Sequence, residues 1–521
     1  MLSPDELLKV SEGGEAIASE LHDDIIKRMV DRVSTRLARG DDYILTAQDK
    51  WQIEVLQDAG YLREDIEKEL AKRTGLMRKE IAEAMVDAGV KSADRDDELY
   101  RAAGLNPRDI AESPYWQRLI ERNYKATVGE WENFTRTTAD ACQQSFIKSC
   151  DKAYNLVSSG AMSYSQAFVE SLKDITTEGG MVTYPSGHRD TLETATLRCI
   201  RTGVSQATAQ ITTARMDEFD WDIVLVSSHL GARVTGSEDY ADHAWWQGKF
   251  YSRSGKDKRF KPFSVCGEGH VQGICGANCR HSYGPGDGEF NPYDQYDSEE
   301  NQKEYELQQR QRAMERRIRE SKHRVIGMQE GIEKAATPEA KAAARAEYDK
   351  QAALLQKRNE AYNEFCEKND LKKLNERITI AKWDRKQAAQ ARVAAKKYKK
   401  DLEKQKNFDI IEEETRTIFR LGKNARLHIP PEPIFARGLT FDGNHINNES
   451  KHNVTRDMAV LFIEQSKASV TVWDGKYERY YGTNGAAYVD LEKNEIRTAF
   501  SGLEFDAKTK KFLEVLEENG Y

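Results

Sequence analysis

Cysteine and histidine side chains crowd one glycine-rich stretch of the chain, and together they could bind a metal ion. They are Cys266, His270, Cys275, Cys279 and His281, on a segment whose glycines disfavour a regular helix or strand. Structural Zn²⁺ sites use thiolate and imidazole ligands, four at a time in a tetrahedron. Cys266, Cys275, Cys279 and His281 supply such a set, and His270 is a fifth candidate.

The spacing of these residues leaves two interpretations open. Three residues separate Cys275 from Cys279, which suits a zinc loop, but the chain lacks the two distant CxxC pairs of a zinc ribbon. In the first interpretation a structural zinc ion, the one cofactor expected, holds the loop together. In the second, the cysteines are small packed residues and the histidines lie at the surface.

A second group of polar residues precedes the cysteines. His229 and His243 flank Glu238, Asp239 and Asp242, so a carboxylate there could act as the base of a hydrolytic reaction. Such groups are common in ordinary loops, and the sequence favours a structural role over catalysis at this point.

The elements that must position these groups begin with a helical region, residues 1–215. Leu21, Ile25 and Met29 recur at the steps of one apolar helix face. A second helix is expected to open at residues 46–49 and to end at Gly60. Similar stripes continue beyond it, and Ser163 is expected to cap a later helix.

A loop-rich mixed domain, residues 216–297, is expected to follow and to carry the cysteines and histidines. It opens with a β-branched apolar run, Ile223–Val226, which predicts a strand.

Residues 298–406 predict a coiled-coil helical hairpin with a basic end. Apolar residues from Leu307 to Ile332 follow alternating three- and four-residue steps, and Pro338 then breaks the helix. A second stripe runs from Tyr348 to Ile378. Between Ile378 and Lys406 the sequence contains ten Lys or Arg and three acidic residues. This end is either a solvated helix face or a contact for nucleic acid or an acidic protein ring.

Residues 407–521 predict an α+β domain. Turn sequences separate four apolar alternating segments, which predicts a strand meander between two helices. The helices are expected at Asp457–Ala468 and Thr509–Asn519, and the strands at Val470–Trp473, Glu478–Tyr481, Ala487–Leu491 and Ile496–Phe500. The sequence as a whole therefore predicts a mainly α protein with a small mixed domain and a C-terminal α+β domain.

Composition narrows the class of protein. The net charge of −8 argues against a protein that coats nucleic acid over its whole surface. The N-terminus lacks the basic and apolar runs of a secretory signal, and no apolar segment is long enough for a membrane span. Seven cysteines is an odd number, and Cys142, Cys150, Cys199 and Cys366 are scattered. This pattern favours reduced thiols in a cytoplasm over a disulfide framework.

The region around the cysteines resembles a known family. The runs SSHLGARVTGSEDYADHAWWQGKFYS from Ser227 and GANCRHSYGPG up to Gly286 look like the phage minor capsid protein 2 family of head-morphogenesis proteins. The resemblance covers about residues 1–300. It implies a minor head protein at low copy near the portal vertex, made and assembled in the host cytoplasm and carried in the virion.

The same resemblance implies the partners. The portal protein and other capsid proteins are expected, and phage or prophage DNA is a further candidate that the chain could contact or accompany. No Walker motif or catalytic-triad motif occurs, which argues against a packaging motor or a prohead protease.

The C-terminal domain resembles another group, the nuclease-like domains of the barnase, EndoU, colicin and RelE type. A metal-independent ribonuclease needs a base, an acid and donors for the phosphate. The resemblance implies His452 or His445 as base or acid, Arg497 as phosphate clamp, and Thr498 or Ser501 as a further donor, with RNA as substrate. The alternative is an inert domain that binds a protein. Acidic residues near the C-terminus, from Glu504 onward, would repel RNA if they lay at the cleft.

Two functions therefore compete, and they are compatible in one chain. The first is a virion assembly protein, and the second is a carrier of a C-terminal ribonuclease or toxin effector. A third hypothesis is a host coiled-coil protein that binds DNA. It depends only on the basic run that includes Lys396, Lys400 and Lys404.

Overall fold

A computed structural model describes residues 1–37, 48–109 and 113–521, apart from the side chain of Asp49. The described residues divide into two compact units, Met1–Lys396 and Lys397–Tyr521. Helices dominate the first unit, and a six-stranded sheet forms the centre of the second. The predicted fold class, mainly α with a C-terminal α+β region, is confirmed.

The first unit is built on long helices whose apolar faces meet. Those before the loop-rich region are α1 (Pro4–Lys9), α2 (Glu12–Leu37), α3 (Gln48–Ala102), α4 (Pro114–Ser158), α5 (Tyr164–Glu178) and α6 (Leu192–Glu218). The antiparallel pair β1 (Met181–Thr183) and β2 (Arg189–Thr191) joins α5 to α6. The predicted apolar face of α2 is confirmed, because Leu21, Ile25 and Met29 are fully buried. The predicted cap of α5 is confirmed too, since the Ser163 hydroxyl accepts from Gln166 N–H.

The predicted helix end at Gly60 is wrong, because α3 continues through this glycine to Ala102. Trp51 before the glycine and Leu62 after it are both buried. Burial of one such side chain contributes roughly 1.5–3 kcal/mol, which exceeds the cost of about 1 kcal/mol for a glycine inside a helix. The start predicted at residues 46–47 lies outside the described part of the chain.

A small four-stranded sheet organises the loop-rich region. Its order is β5 (Lys261–Pro262), β4 (Phe250–Ser252), β3 (Ile223–Val226) and β6 (Tyr283–Pro285), and the short helix α7 (His243–Trp246) lies between β3 and β4 in the chain. β3 is the predicted strand and pairs antiparallel with β4 and β6. Because β6 begins two residues after His281, the sheet fixes where the cysteine-rich loop ends.

Two helices then form an antiparallel hairpin, α8 (Ser298–Lys334) and α9 (Pro338–Lys368). The Arg358 guanidinium on α9 donates to the Arg317 carbonyl on α8 at 2.7 Å, and the Gln311 amide lies 3.4 Å from the Tyr362 hydroxyl. α9 ends at Lys368, so the second apolar stripe does not continue as one helix. The end of the stripe lies on the short α10 (Asn375–Ile378).

The hairpin also packs against the earlier helices of the first unit. Gly327 of α8 lies so close to Thr176 and Ile26 that an added Cβ would stand 2.3 Å from the Thr176 side chain. Gly331 meets Leu172 of α5 in the same way, at 2.4 Å. α8 is therefore part of the helical core of this unit, with glycines that permit close approach.

The second unit is a sheet with helices on both faces. α11 (Arg385–Phe419) contains the boundary between the two units and also the boundary predicted at residues 406–407. The sheet order is β7 (Arg426–His428), β9 (Ala468–Val472), β10 (Tyr477–Gly482), β11 (Gly485–Asp490), β12 (Glu495–Ser501) and β8 (Thr440–Phe441).

The four predicted strands are β9 to β12, which form the expected antiparallel meander. The edge strands β7 and β8 were too short to be predicted. α12 (Arg456–Glu464) packs on one face of the sheet, while α13 (Ala507–Glu518) and the end of α11 pack on the other. Within the described ranges, no helix is both long and apolar enough to cross a bilayer.

Candidate functional site

The cysteine-rich loop is held in an irregular path by its backbone and by one arginine. Cys275 and Asn278 both have positive φ angles, of 58° and 61°. The Arg233 guanidinium donates to the carbonyl oxygens of Gln272 and Ala277. These contacts fold the loop back on itself, so that Cys279 and His281 face the interior.

A third potential ligand comes from the short helix α7. The Asp242 carboxylate caps this helix by accepting from Trp245 N–H at 3.2 Å, and it also accepts from the backbone N–H of Gly236. The cap directs His243, the first residue of α7, into the core, where only 2% of its surface is exposed.

His243, Cys279 and His281 converge on one point. One potential ligand atom from each residue lies within 4.8 Å of the other two, and all three residues are buried. The Cys279 Sγ is 3.6 Å from His281 Nδ1. The His229 ring stacks on His281 with 4.5 Å between ring centroids. We call His229, His243, His281 and Cys279 the neutral histidine cluster.

Hydrogen bonds fix which nitrogen of each ring carries the proton. His281 Nε2 lies 3.0 Å from Gln247 Oε1, and His243 Nε2 lies 2.8 Å from the Gln272 carbonyl oxygen. Both oxygens can only accept, so each Nε2 donates and each neutral ring keeps its lone pair on Nδ1. Histidines that bind metal ions have this arrangement, with the second nitrogen donating to an oxygen.

The surroundings keep these rings uncharged. Burial lowers the pKa of His243 to about 4, and burial with the nearby Arg280 guanidinium lowers the pKa of His229 to about 3. Burial, and then the neighbouring His229, holds the pKa of His281 well below its usual range. Burial also raises the pKa of the Cys279 thiol. The cluster therefore consists of neutral imidazoles beside a protonated thiol.

The other residues of the predicted zinc set lie elsewhere in the loop. Cys266 and Cys275 are buried with Cys279 in the hydrophobic core around β3, and the Cys275 Sγ lies 3.9 Å from the His281 carbonyl oxygen, but neither belongs to the three converging ligands. His270 is exposed and stacks on Tyr240. The structure thus brings together two of the five predicted ligands and adds His243, which the sequence grouped with acidic residues. Glu238 and Asp239 of that acidic group are exposed.

Sequence reasoning missed a second buried site between α2, α6 and α8. His22 Nδ1 lies 2.8 Å from a Glu193 carboxylate oxygen, and its Nε2 lies 2.9 Å from the Gly179 carbonyl oxygen. His323 Nδ1 lies 2.7 Å from Asp23 Oδ1, and its Nε2 lies 2.9 Å from Glu193 Oε1. We call His22, Asp23, Glu193 and His323 the charged histidine cluster.

The two rings of the charged histidine cluster stack with their centroids 4.1 Å apart, and all four residues are at most 3% exposed. Although burial opposes it, contact with Glu193 and Asp23 raises the pKa of His323 to about 9. Every ring nitrogen lies within 2.9 Å of a carboxylate or carbonyl oxygen, and the contact of His323 Nε2 with Glu193 is an ion pair without hydrogen-bond geometry. The one sequence signal was the pair His22-Asp23 inside the apolar face of α2.

The residues predicted for the ribonuclease lie along one edge of the second unit's sheet. β8 pairs in parallel with the start of β12, Ile496 opposite Phe441. The chain after β8 reaches His452, whose ring lies 5.5 Å from that of Phe500 and whose Nδ1 is 3.2 Å from Glu504 Oε1. The segment 442–452, which contains His445, thus connects two points along β12.

Three further predicted residues are on β12 itself. Arg497 is exposed and sits at a β-bulge, since Tyr488 pairs with Thr498 and Val489 with Ile496. A bulge changes the direction of a side chain and is frequent near functional sites. Thr498 and Ser501 are half-buried.

The histidines at this edge each contact a carboxylate. His445 Nδ1 is 2.7 Å from Glu449 Oε2, and His452 contacts Glu504. Although desolvation opposes it, hydrogen bonds from Ser501 N–H and His452 lower the pKa of Glu504. Glu504, one of the acidic residues that would repel RNA, therefore lies within this group.

Comparison with known proteins gives one match. The family model of Phage minor capsid protein 2 matches residues 2–356, which spans the helices and loop-rich region of the first unit and most of the α8–α9 hairpin. No curated protein and no solved structure matches the chain.

Proposed function

Because the chain belongs to the phage minor capsid protein 2 family, we propose that it acts at low copy near the portal vertex in procapsid assembly. Membership makes it a phage minor capsid protein, a component of the virion whose partners are other capsid proteins. The match over residues 2–356 carries the proposal, since it includes nearly all of the first compact unit.

An exposed apolar surface on α3 supports a role in protein assembly. Ile53 and Leu56, three residues apart on this helix, are 58% and 59% exposed, and Leu76 further along is 57% exposed. Residues three apart are neighbours on a helix surface. Large apolar side chains that remain exposed together are typical of surfaces that bind another protein.

Quantitative mass spectrometry of purified particles tests the proposal. We expect a few copies of the chain per particle, far below the major shell protein, and cross-links from α3 to the portal protein. The double variant Ile53→Asp, Leu56→Asp should fold normally but enter particles several-fold less often. Val393→Asp, at another exposed apolar residue, is the matched control. Absence of the chain from particles, or copy numbers near those of the shell protein, would overturn the proposal.

The second function, a C-terminal ribonuclease, is supported by the edge of the sheet around β12. His445 and His452 lie on the segment that connects the two ends of this edge, and Arg497 occupies the bulge in the strand. A base, an acid and a cationic phosphate donor are the groups that metal-independent RNA cleavage requires. In this proposal the virion carries the domain and delivers it with the genome.

Cleavage of RNA by the full chain in the presence of a chelator tests this function. His452→Ala should reduce cleavage at least a hundredfold while particle assembly stays intact, since general acid–base catalysis contributes about 10²–10⁴-fold. His428→Ala, a histidine on β7 at the other side of the sheet, is the control. Unchanged cleavage in the His452 variant would exclude this mechanism, and lost assembly would contradict the separation of the two functions.

Contact with phage DNA is the remaining part of the proposal. Lys400, Lys404 and Lys406 of α11 are exposed, and the side chains around them are mainly charged. Binding through these residues should weaken steeply as salt rises, because each phosphate contact releases counterions. A change of all three to glutamine should reduce the salt dependence of DNA binding; the absence of binding at low salt would exclude the contact.

A further inference from the structure

We propose that His243, Cys279 and His281 bind one Zn²⁺ ion, which links α7 to the loop that enters β6. This assignment differs from the set of ligands that the sequence predicts, because it includes His243 and leaves out Cys266, His270 and Cys275. It is independent of the role proposed for the chain in the virion.

Geometry is the first argument. The three ligand atoms already lie within 4.8 Å of one another, so a single ion between them needs only small side-chain movements. In a tetrahedral site, Zn–S and Zn–N distances of about 2.3 and 2.0–2.1 Å place neighbouring ligand atoms roughly 3.3–3.8 Å apart. The separation of 3.6 Å between Cys279 Sγ and His281 Nδ1 falls in that range.

The second argument is the direction of the lone pairs. Gln247 Oε1 and the Gln272 carbonyl oxygen each hold one Nε2–H, which leaves His281 Nδ1 and His243 Nδ1 as the atoms able to bind a metal. Gln247 is itself fixed, since its Oε1 also accepts from His229 N–H at 3.0 Å. These hydrogen bonds therefore orient both rings before an ion arrives.

The third argument is the chemistry of the ligands. Two imidazoles and a thiolate suit Zn²⁺ and exclude Mg²⁺ and Ca²⁺, which prefer oxygen ligands. Binding would replace the proton of the Cys279 thiol, and this proton would leave to solvent. Three protein ligands leave a fourth position for a water molecule.

The ion would connect two segments that are far apart in the chain. His243 begins α7, whereas Cys279 and His281 follow the irregular loop after Cys266. Within this loop the backbone closes turns such as Gly273 N–H to the His270 carbonyl, and a longer bond joins Ile274 N–H to the Cys266 carbonyl, but residues 267–282 form no helix or strand. A metal ion would thus supply a fixed cross-link where regular secondary structure is lacking.

Metal analysis of the purified full chain, followed by replacement of the metal with Co²⁺, tests the proposal. We expect one Zn²⁺ per chain, and for Co²⁺ the absorption of a tetrahedral site with a single thiolate ligand. Less than stoichiometric Zn²⁺ after addition of excess metal would overturn the proposal. In that case the Cys279 thiol simply donates a hydrogen bond to His281.

Variants separate this site from the one predicted by the sequence. His243→Asn should reduce bound Zn²⁺ below 0.1 per chain, whereas His270→Asn and Cys266→Ser, changes in the same loop, should retain one ion. Loss of metal in Cys266→Ser together with retention in His243→Asn would overturn the assignment in favour of the loop set. Circular dichroism of each variant verifies that the variant folds. The Co²⁺ spectrum is recorded on the unmodified chain, so this test remains valid even if a variant fails to fold.

Discussion

The first unit buries histidines in two places, and the residues around them shift the pKa of the rings in opposite directions. In the charged histidine cluster, Glu193 and Asp23 face the ring nitrogens, and the pKa of His323 is raised to about 9. In the neutral histidine cluster, carbonyl and amide oxygens take the place of carboxylates, and the pKa of His243 is lowered to about 4. His243, Cys279 and His281 of the neutral histidine cluster are buried, as are all four residues of the charged histidine cluster.

The comparison shows that burial alone does not decide the protonation of histidine. Removal from water always penalises the charged ring, and a carboxylate in contact reverses this effect. This difference in protonation also gives the two histidine clusters different roles. A protonated ring holds carboxylates in place but has no lone pair for a metal, whereas a neutral ring keeps one. Four changes test this comparison.

The largest effect is expected from Glu193→Gln. This carboxylate contacts both His22 and His323, and its loss leaves the buried His323 ring with Asp23 as its remaining carboxylate contact. Removal of one member of a buried ion pair destabilises a protein by about 3–5 kcal/mol. Urea denaturation followed by circular dichroism measures the loss. Glu83→Gln, on the exposed face of α3, should leave the free energy of unfolding unchanged. A loss below about 1 kcal/mol at Glu193 would show that the cluster is not charged.

His323→Gln should remove a specific pH dependence. The folded protein keeps the His323 proton up to a pH of about 9, whereas an unfolded histidine releases it near 6.5. The stabilisation is therefore complete below pH 6.5 and is lost as the pH rises to 9, by about 3 kcal/mol. Urea denaturation between pH 6 and 9 should show this decline in the unmodified chain and a flatter profile in the variant. Equal slopes would contradict the raised pKa.

Zinc should distinguish the two clusters. An ion that binds only the folded protein stabilises it by about 2.7 kcal/mol at a free concentration a hundred times its Kd. We expect this gain in the metal-free chain and in His323→Gln, but not in Cys279→Ser. Thermal denaturation with and without Zn²⁺ provides the measurement. A gain that persists in Cys279→Ser would place the metal elsewhere.

Gln247→Glu should convert the neutral histidine cluster toward the charged type. Its new carboxylate would lie beside His281 Nε2, where Gln247 Oε1 now accepts a hydrogen bond. A carboxylate at this distance favours the charged ring and therefore raises the pKa of the histidine. NMR titration of isotope-labelled histidines reports the change. Gln272→Glu is the control, because its side chain is exposed and only its backbone contacts His243. An unchanged titration would mean that burial dominates the site.

Local pattern was sufficient for most elements of the fold. The strand at Ile223–Val226, the cap at Ser163 and the four-stranded meander were predicted because alternation, β-branching and turn residues act over a few positions. The error at Gly60 arose where tertiary burial outweighed a local preference. The two-residue strand β8 had no local pattern at all and forms only because β12 offers a partner.

The candidate sites were predicted less completely. The sequence identified Cys279 and His281 by their closeness in the chain but could not connect them with His243. For the C-terminal residues, the resemblance implied His452 or His445 together with Arg497. The structure places His452 beside Phe500 and Arg497 at the bulge of β12, and their catalytic role stays a prediction.

The sequence by itself determined the helical class, the positions of apolar faces, the cysteine-rich loop and the likeness to a phage capsid family. Each of these features depends on residues that are close together in the sequence. Only the tertiary structure decided which ionisable groups meet. His22 lies 171 residues from Glu193, and Asp23 lies 300 residues from His323. Contacts over such separations depend on how whole helices pack, and packing sums many weak interactions that no single segment contains.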